Sequence, residues 1–161
     1  MTLAETLPQK LAEWRPAGTG RHSLSQALGE SGWTAHLTAD RVDTVGCLMW
    51  ELTLTRAAAD RKDLPTLAAW AETVAAGAKG LLEPLKVVEV DVQRQEALLR
   101  SDAATQRGGN LMYYELLLHD RNRAIVRRFR APAEQTGRRE QIAFALTHEV
   151  LVKLVEDIAR F

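Results

Sequence analysis

A single cysteine, Cys47, is all the thiol chemistry this chain of 161 residues holds. That excludes an intramolecular disulfide and a cysteine zinc cluster. No long apolar run is present either. The longest, Val45 to Trp50, is about six residues, against the roughly 20 that a membrane span needs. Met1 to Trp14 lacks the basic start and apolar core of a secretory signal, and neither Asn110 nor Asn122 begins a glycosylation triplet. These absences lead us to expect a cytoplasmic protein. A surplus of charge is missing too, because 21 basic and 21 acidic side chains cancel. The whole molecule therefore exerts no global pull on nucleic acid or anionic lipid.

What is present fits one domain, 1–161. Hydrophobic residues make up 46% of the chain, too many for disorder and enough for a core. Leu3, Leu7, Leu11 and Trp14 recur at helical spacing, and Thr2 with Glu5, or Thr6 with Gln9, can cap that helix. After a loop at Pro16, Gly18 and Gly20, the pattern predicts a short helical turn over 23–28, then strands over 33–39 and 45–56 around a turn at 40–43. In the second strand Leu48, Trp50, Leu52 and Leu54 share one face, with Cys47, Met49, Glu51, Thr53 and Thr55 on the other. Asp63 is the expected cap of a helix carrying Leu67, Trp70, Ala71, Val74 and Ala78, which Gly80 would end. Four more strands are expected over 85–93, 96–101, 110–119 and 122–130. The buried-looking row of the third is Met112, Tyr114, Leu116 and Leu118. A long closing helix is expected over 137–160, with Phe144, Leu151, Val155 and Ile158 along its apolar side. The fold class is thus α+β, a twisted antiparallel sheet of about five to six strands with helices packed on one face.

Catalytic constellations are sparse. His148-Glu149 opens like the zinc-protease motif, but Val152 stands where the second histidine belongs, and His22, His36 and His119 lack ligand spacing. Gly18-Thr19-Gly20 and Gly108-Gly109 read as connections, because a phosphate cradle should open a helix. Cys47 reads as a small apolar side chain, and Asp40 and Asp43 as turn residues. We expect no metal and no cofactor.

The one feature with weight is basic. Between Arg121 and Arg139 stand seven arginines (121, 123, 127, 128, 130, 138 and 139) against Glu134, a local charge of +6. Guanidinium forks suit phosphate and carboxylate, and Tyr113 and Tyr114 can stack on bases. The competing reading is an edge strand kept soluble by charge. Arg127 and Arg128 are adjacent, so they point to opposite faces. A second candidate surface is the face opposite the core, where Met49, Tyr113, Leu117 and Val126 would form an apolar patch unless the first helix covers them.

The amphipathic opening at Leu3, Leu7 and Leu11, the strand 48–52, the middle helix around Trp70 and the closing helix 144–158 resemble, in their order, the type III secretion chaperones. That resemblance implies a cytoplasmic homodimer that binds an extended segment of another protein and performs no chemistry. The neutral charge and the arginine-rich hairpin depart from that family, which tends to be acidic. The expected function is a non-enzymatic protein- or peptide-binding module, chaperone- or adaptor-like, engaging an acidic partner through Tyr113, Arg127, Arg128 and Arg130. Nucleic-acid or other anion binding through 121–139 remains an alternative, as does a small-molecule site or enzyme pocket invisible in the sequence.

Overall fold

A computed structural model describes residues 1–58, 63–134 and 137–161. Helix α1, Leu3–Glu13, starts as expected: the Glu5 carboxylate accepts the Thr2 backbone N–H at 2.8 Å. Strands β1 (His22–Ala27), β2 (Trp33–Val42) and β3 (Gly46–Arg56) follow, then α2 (Leu67–Gly77). Next come β4 (Leu85–Asp91), β5 (Glu96–Ser101), the short β6 (Thr105–Arg107), β7 (Asn110–His119) and β8 (Arg123–Pro132). Strands β9 (Glu140–Ile142) and β10 (Phe144–Thr147) lead into α3, His148–Ile158. The strands form one antiparallel sheet of order β1-β2-β3-β8-β7-β5-β4, with β6 on β7, β9 on β8 and β10 on β3. All three helices lie on one side of it: α2 packs on β4 and β5, α3 on β3 and β10, and α1 on α3. Among the described residues no helix is long and apolar enough to cross a membrane.

The α+β class and the antiparallel sheet are as expected. The ten strands exceed the expected five to six, because short segments read as turns and helix became strands. Residues 22–27 are strand, where a helical turn is expected over 23–28. Leu24 and Leu28 sit four apart, but Ser23, Ser25 and Ala27 alternate outward and all six residues pair with β2. The closing helix begins at His148 instead of near Gly137, where Thr147 accepts the Val150 N–H at 3.2 Å as its cap. Phe144 is therefore a strand residue, its ring edge-on to Tyr114 at 5.8 Å. The cap of α2 is Thr66, which accepts from the Ala69 N–H at 3.1 Å, and the helix stops at Gly77, before Gly80. Strand β2 runs through the expected turn at 40–43 to Val42. The chain reverses instead at Asp43, whose carboxylate accepts the Val45 and Gly46 N–H groups, each at 2.8 Å.

Strand β3 changes sides midway. Cys47 and Met49 are buried in its first half, Leu52 and Leu54 in its second. The register explains the switch: Ala39 faces Met49 while Thr38 faces Glu51, which leaves Trp50 as an extra residue. A second irregularity at Asp40 restores the pairing of Arg41 with Leu48. An unbroken alternation, as read from the sequence, put Leu48 and Trp50 inside. The half-buried Trp50 instead lies under the Arg21 guanidinium, 3.8 Å from its ring centre.

Beyond Leu52 the strands β3 and β8 pair directly, and before it they part. β10 pairs with β3 along 46–49, and β9 with β8 along 128–130, so the two fill the gap. Gly46 admits β10: a Cβ there would stand 2.5 Å from the Leu146 carbonyl oxygen. The core lies between sheet and helices. Trp33 and Trp70 are 5.9 Å apart in it, and the Trp70 indole donates to the Ile158 carbonyl at 2.9 Å.

The side switch in β3 has a direct check. Met49→Ala should lower stability by about 2–5 kcal/mol, and Leu48→Ala by no more than about 1 kcal/mol, in urea unfolding. A larger loss for Leu48→Ala than for Met49→Ala would mean that β3 alternates without a break.

Candidate functional site

The arginine-rich hairpin does not lie on an edge. β8 is an interior strand between β3 and β7, so charge there cannot serve to guard a free edge; the edges are β1 and β4. Nor is it a basic patch. Arg127 Nε donates to Glu51 at 2.8 Å, Arg130 Nε to Glu140 at 2.7 Å, and Arg139 Nη1 to Glu115 at 2.5 Å. Arg121 reaches the Pro65 carbonyl at 3.3 Å. Four of the seven arginines are met by acids: Glu51 of β3, Glu115 of β7, Glu140 of β9 and, for Arg128, Glu83.

Arg128 has gone furthest inside. It is 4% exposed and holds Glu83, also 4% exposed, through two bonds of 2.9 and 3.1 Å. Ser101 and Thr105 donate to the same carboxylate at 2.8 and 2.7 Å. Ser101 in turn accepts the Tyr114 N–H at 2.8 Å, and the Arg128 guanidinium lies 4.1 Å from the Tyr114 ring centre. Burial pushes the Glu83 carboxyl upward, but Arg128 and the two hydroxyls outweigh it and hold it below the usual carboxylate range.

The sheet face away from the helices carries the other half of the hairpin. Register places Leu98, Leu117, Ile125, Thr53, His36 and Ser25 side by side across six strands. The next row is Arg100, Glu115 and Arg127. Glu115 accepts from Arg100 at 3.1 Å as well as from Arg139. Tyr113 and Phe129 are 6.0 Å apart, with Arg139 stacked 3.9 Å from the Phe129 ring centre. This face is an apolar strip bordered by arginine, glutamate and two aromatic rings.

The four expected binding residues are therefore divided. Tyr113 and Arg127 stand on this open face, half-buried. Arg128 points to the helix side and is enclosed, while Arg130, of the same parity, ends on the surface beside Glu140. Of the expected apolar patch only Tyr113 and Leu117 belong here. Met49 and Val126 are core residues at 0% and 1% exposure, Met49 because of the side switch and Val126 because it shares parity with Arg128. Leu98 and Ile125 take their places, Leu98 half-buried and Ile125 buried at 7% exposure, as is the Phe129 ring at 8%. The covering element is Arg139 rather than α1, which packs against α3 on the opposite side.

Sequence reading missed a hydroxyl–imidazole relay on the same face. Ser25 Oγ lies 2.9 Å from His36 Nδ1, and His36 Nε2 lies 3.0 Å from Thr55 Oγ1. The strand pairing that creates it became visible only once residues 22–27 were strand. Its backbone amides belong to a flat ladder, with no convergent pair aimed at a reacting oxygen, so we assign it to strand cohesion. Cys47 is 4% exposed, and its thiol is pushed up to about 11 by burial, with Asp43 adding to the rise and Arg15 opposing it. Roughly one thiol in ten thousand is ionised at neutral pH, which is poor for a nucleophile. His148 opens α3 with its Nε2 buried and unpartnered among the described residues; burial and Arg15 hold it below its ordinary value, against Asp43. Gly108 and Gly109, both at positive φ, form the two-residue turn between β6 and β7. Among the described residues no three acid, histidine or cysteine side chains are placed to hold a metal ion. No family model matches the chain, and comparisons with characterised proteins and with solved structures found no match.

The enclosed pair sets two outcomes. Arg128→Met should cost about 3–5 kcal/mol, since it strands a buried carboxylate, while the double variant Glu83→Gln/Arg128→Met recovers part of that loss. The wild-type pair contributes fully above the ordinary carboxylate pKa and is lost as pH falls through the depressed pKa of Glu83. Acid titration of unfolding should therefore show a component in the wild type that the double variant lacks.

Proposed function

We propose that the chain is a non-enzymatic protein- or peptide-binding module, chaperone- or adaptor-like, homodimeric and cytoplasmic, whose open sheet face is the docking surface. One observation carries this reading: the strip Leu98-Leu117-Ile125 and the rings of Tyr113 and Phe129 share the single face that no helix covers. Aromatic residues and arginine are the types enriched where proteins meet, and lysine is depleted there. Here arginines 100, 127 and 139 border the strip. Arg100 and Arg127 each hold their glutamate through Nε, which leaves the terminal nitrogens to donate to carboxylates or carbonyls of a partner. The strip supplies apolar burial and the arginines favour acidic character in what binds. What supports the chaperone-like part is the order of helix, three strands, helix, further strands and final helix, with every helix on one side.

Affinity purification of tagged protein from its own cells, after nuclease treatment, should yield a stoichiometric protein partner that survives moderate salt. Tyr113→Ala/Arg127→Glu should weaken its capture by tenfold or more while far-UV circular dichroism is unchanged. Unchanged capture would remove the open face from the argument. Loss of all captured material on nuclease treatment would favour nucleic acid instead.

A further inference from the structure

The two edges of the sheet are built differently. β4 carries Lys86, Glu89 and Asp91, and its ladder is interrupted at Val88, which has no partner on β5. Charge and a bulge are how a sheet edge avoids pairing with another molecule. β1 has neither. His22-Ser23-Leu24-Ser25-Gln26-Ala27 contains no acid, lysine, arginine, proline or glycine, and its register on β2 is unbroken from His22↔Ala39 to Ala27↔Thr34. Among the described residues no strand pairs with its outer side, so a straight row of backbone donors and acceptors faces outward.

The side chains of β1 fit one occupant. Opposed residues in an antiparallel pair point to the same face, so a second copy related by a two-fold axis across the sheet must be centred on a residue. The sequence reads symmetrically about Leu24, with serine on either side and then His22 and Gln26. Centred there, Leu24 meets Leu24 of the second copy on the helix side, where it is already half-buried against its own core. Ser23 meets Ser25 on the open side, where hydroxyl pairs are favourable, and no like charges oppose one another. We propose that two copies pair antiparallel along β1 about Leu24, which joins the two sheets into one and makes their open faces continuous. A five-residue pairing, His22 to Gln26, falls short of the about 1,200–2,000 Å² of stable interfaces, so the dimer is expected to form in the micromolar range. This contact is distinct from the open-face reading, which concerns the partner, and it is measured without one.

Sedimentation velocity across the micromolar range should show wild-type mass rising toward twice that of the chain. Ser23→Lys/Ser25→Lys and Ser23→Glu/Ser25→Glu each place like charges opposite one another and should each weaken self-association at least tenfold, with circular dichroism unchanged. An equimolar mixture of the two variants should regain the dimer, since opposite charges then meet. A wild type that stays monomeric, a doubly substituted chain that dimerises like wild type, or a mixture that fails to associate while both variants remain folded would each overturn the proposal. Partner capture by the open face is scored in the earlier experiment, so a monomeric wild type removes the homodimer from the proposed function and leaves its docking face standing.

Discussion

Two opposite charges, Arg128 and Glu83, sit side by side behind the sheet at 4% exposure each, and much of the chain is arranged to keep them satisfied. Removing such a pair from water costs several kcal/mol per ion, and the pair is tolerable only when geometry and further hydrogen bonds make up the loss. Here the guanidinium is bidentate, Ser101 and Thr105 complete the carboxylate, and the Tyr114 ring covers the cation. Each partner comes from a different place: Glu83 from the segment after α2, Ser101 from β5, Thr105 from β6, Tyr114 from β7 and Arg128 from β8. An interaction that is poor as net stabilisation is therefore strong as a register constraint, since a slip in any of these strands would strand a charge.

That constraint and the open face are linked through β8. Because Arg128 must point inward, Arg127 and Phe129 must point outward, beside Tyr113 and Glu115 on β7. The same strand thus supplies the enclosed ion pair on one side and the arginine–aromatic border on the other. The parting of β3 from β8, and its filling by β9 and β10, brings Arg139 over Phe129 and Glu140 beside Arg130. Charge that looks concentrated along the chain is dispersed in space.

Much of the architecture was legible because it rests on local period. Leu7 and Leu11, the row Tyr114, Leu116 and Leu118, and the α2 stripe of Leu67, Trp70, Ala71 and Val74 are buried as their spacing indicates, while Leu3 and Met112 at the ends of their rows are half-buried. Legibility failed where two periods competed or where one was interrupted. In residues 22–27 a four-residue leucine spacing masked an alternation of two. In β3 the extra residue Trp50 reversed which side chains were inside. In 140–147 the segment read as the start of the closing helix is two short strands, held by pairing with β8 and β3.

The sequence by itself determined the mixture of helices and antiparallel strands, the inward rows and the opposed directions of Arg127 and Arg128, since each follows from a repeat of two or 3.6 residues. It also determined that the hairpin holds an excess of arginine. Only the tertiary structure decided what those arginines do. Glu51, Glu83, Glu115 and Glu140 reach them from other strands and loops, and Coulombic pairing depends on separation in space, which no spacing along the chain records.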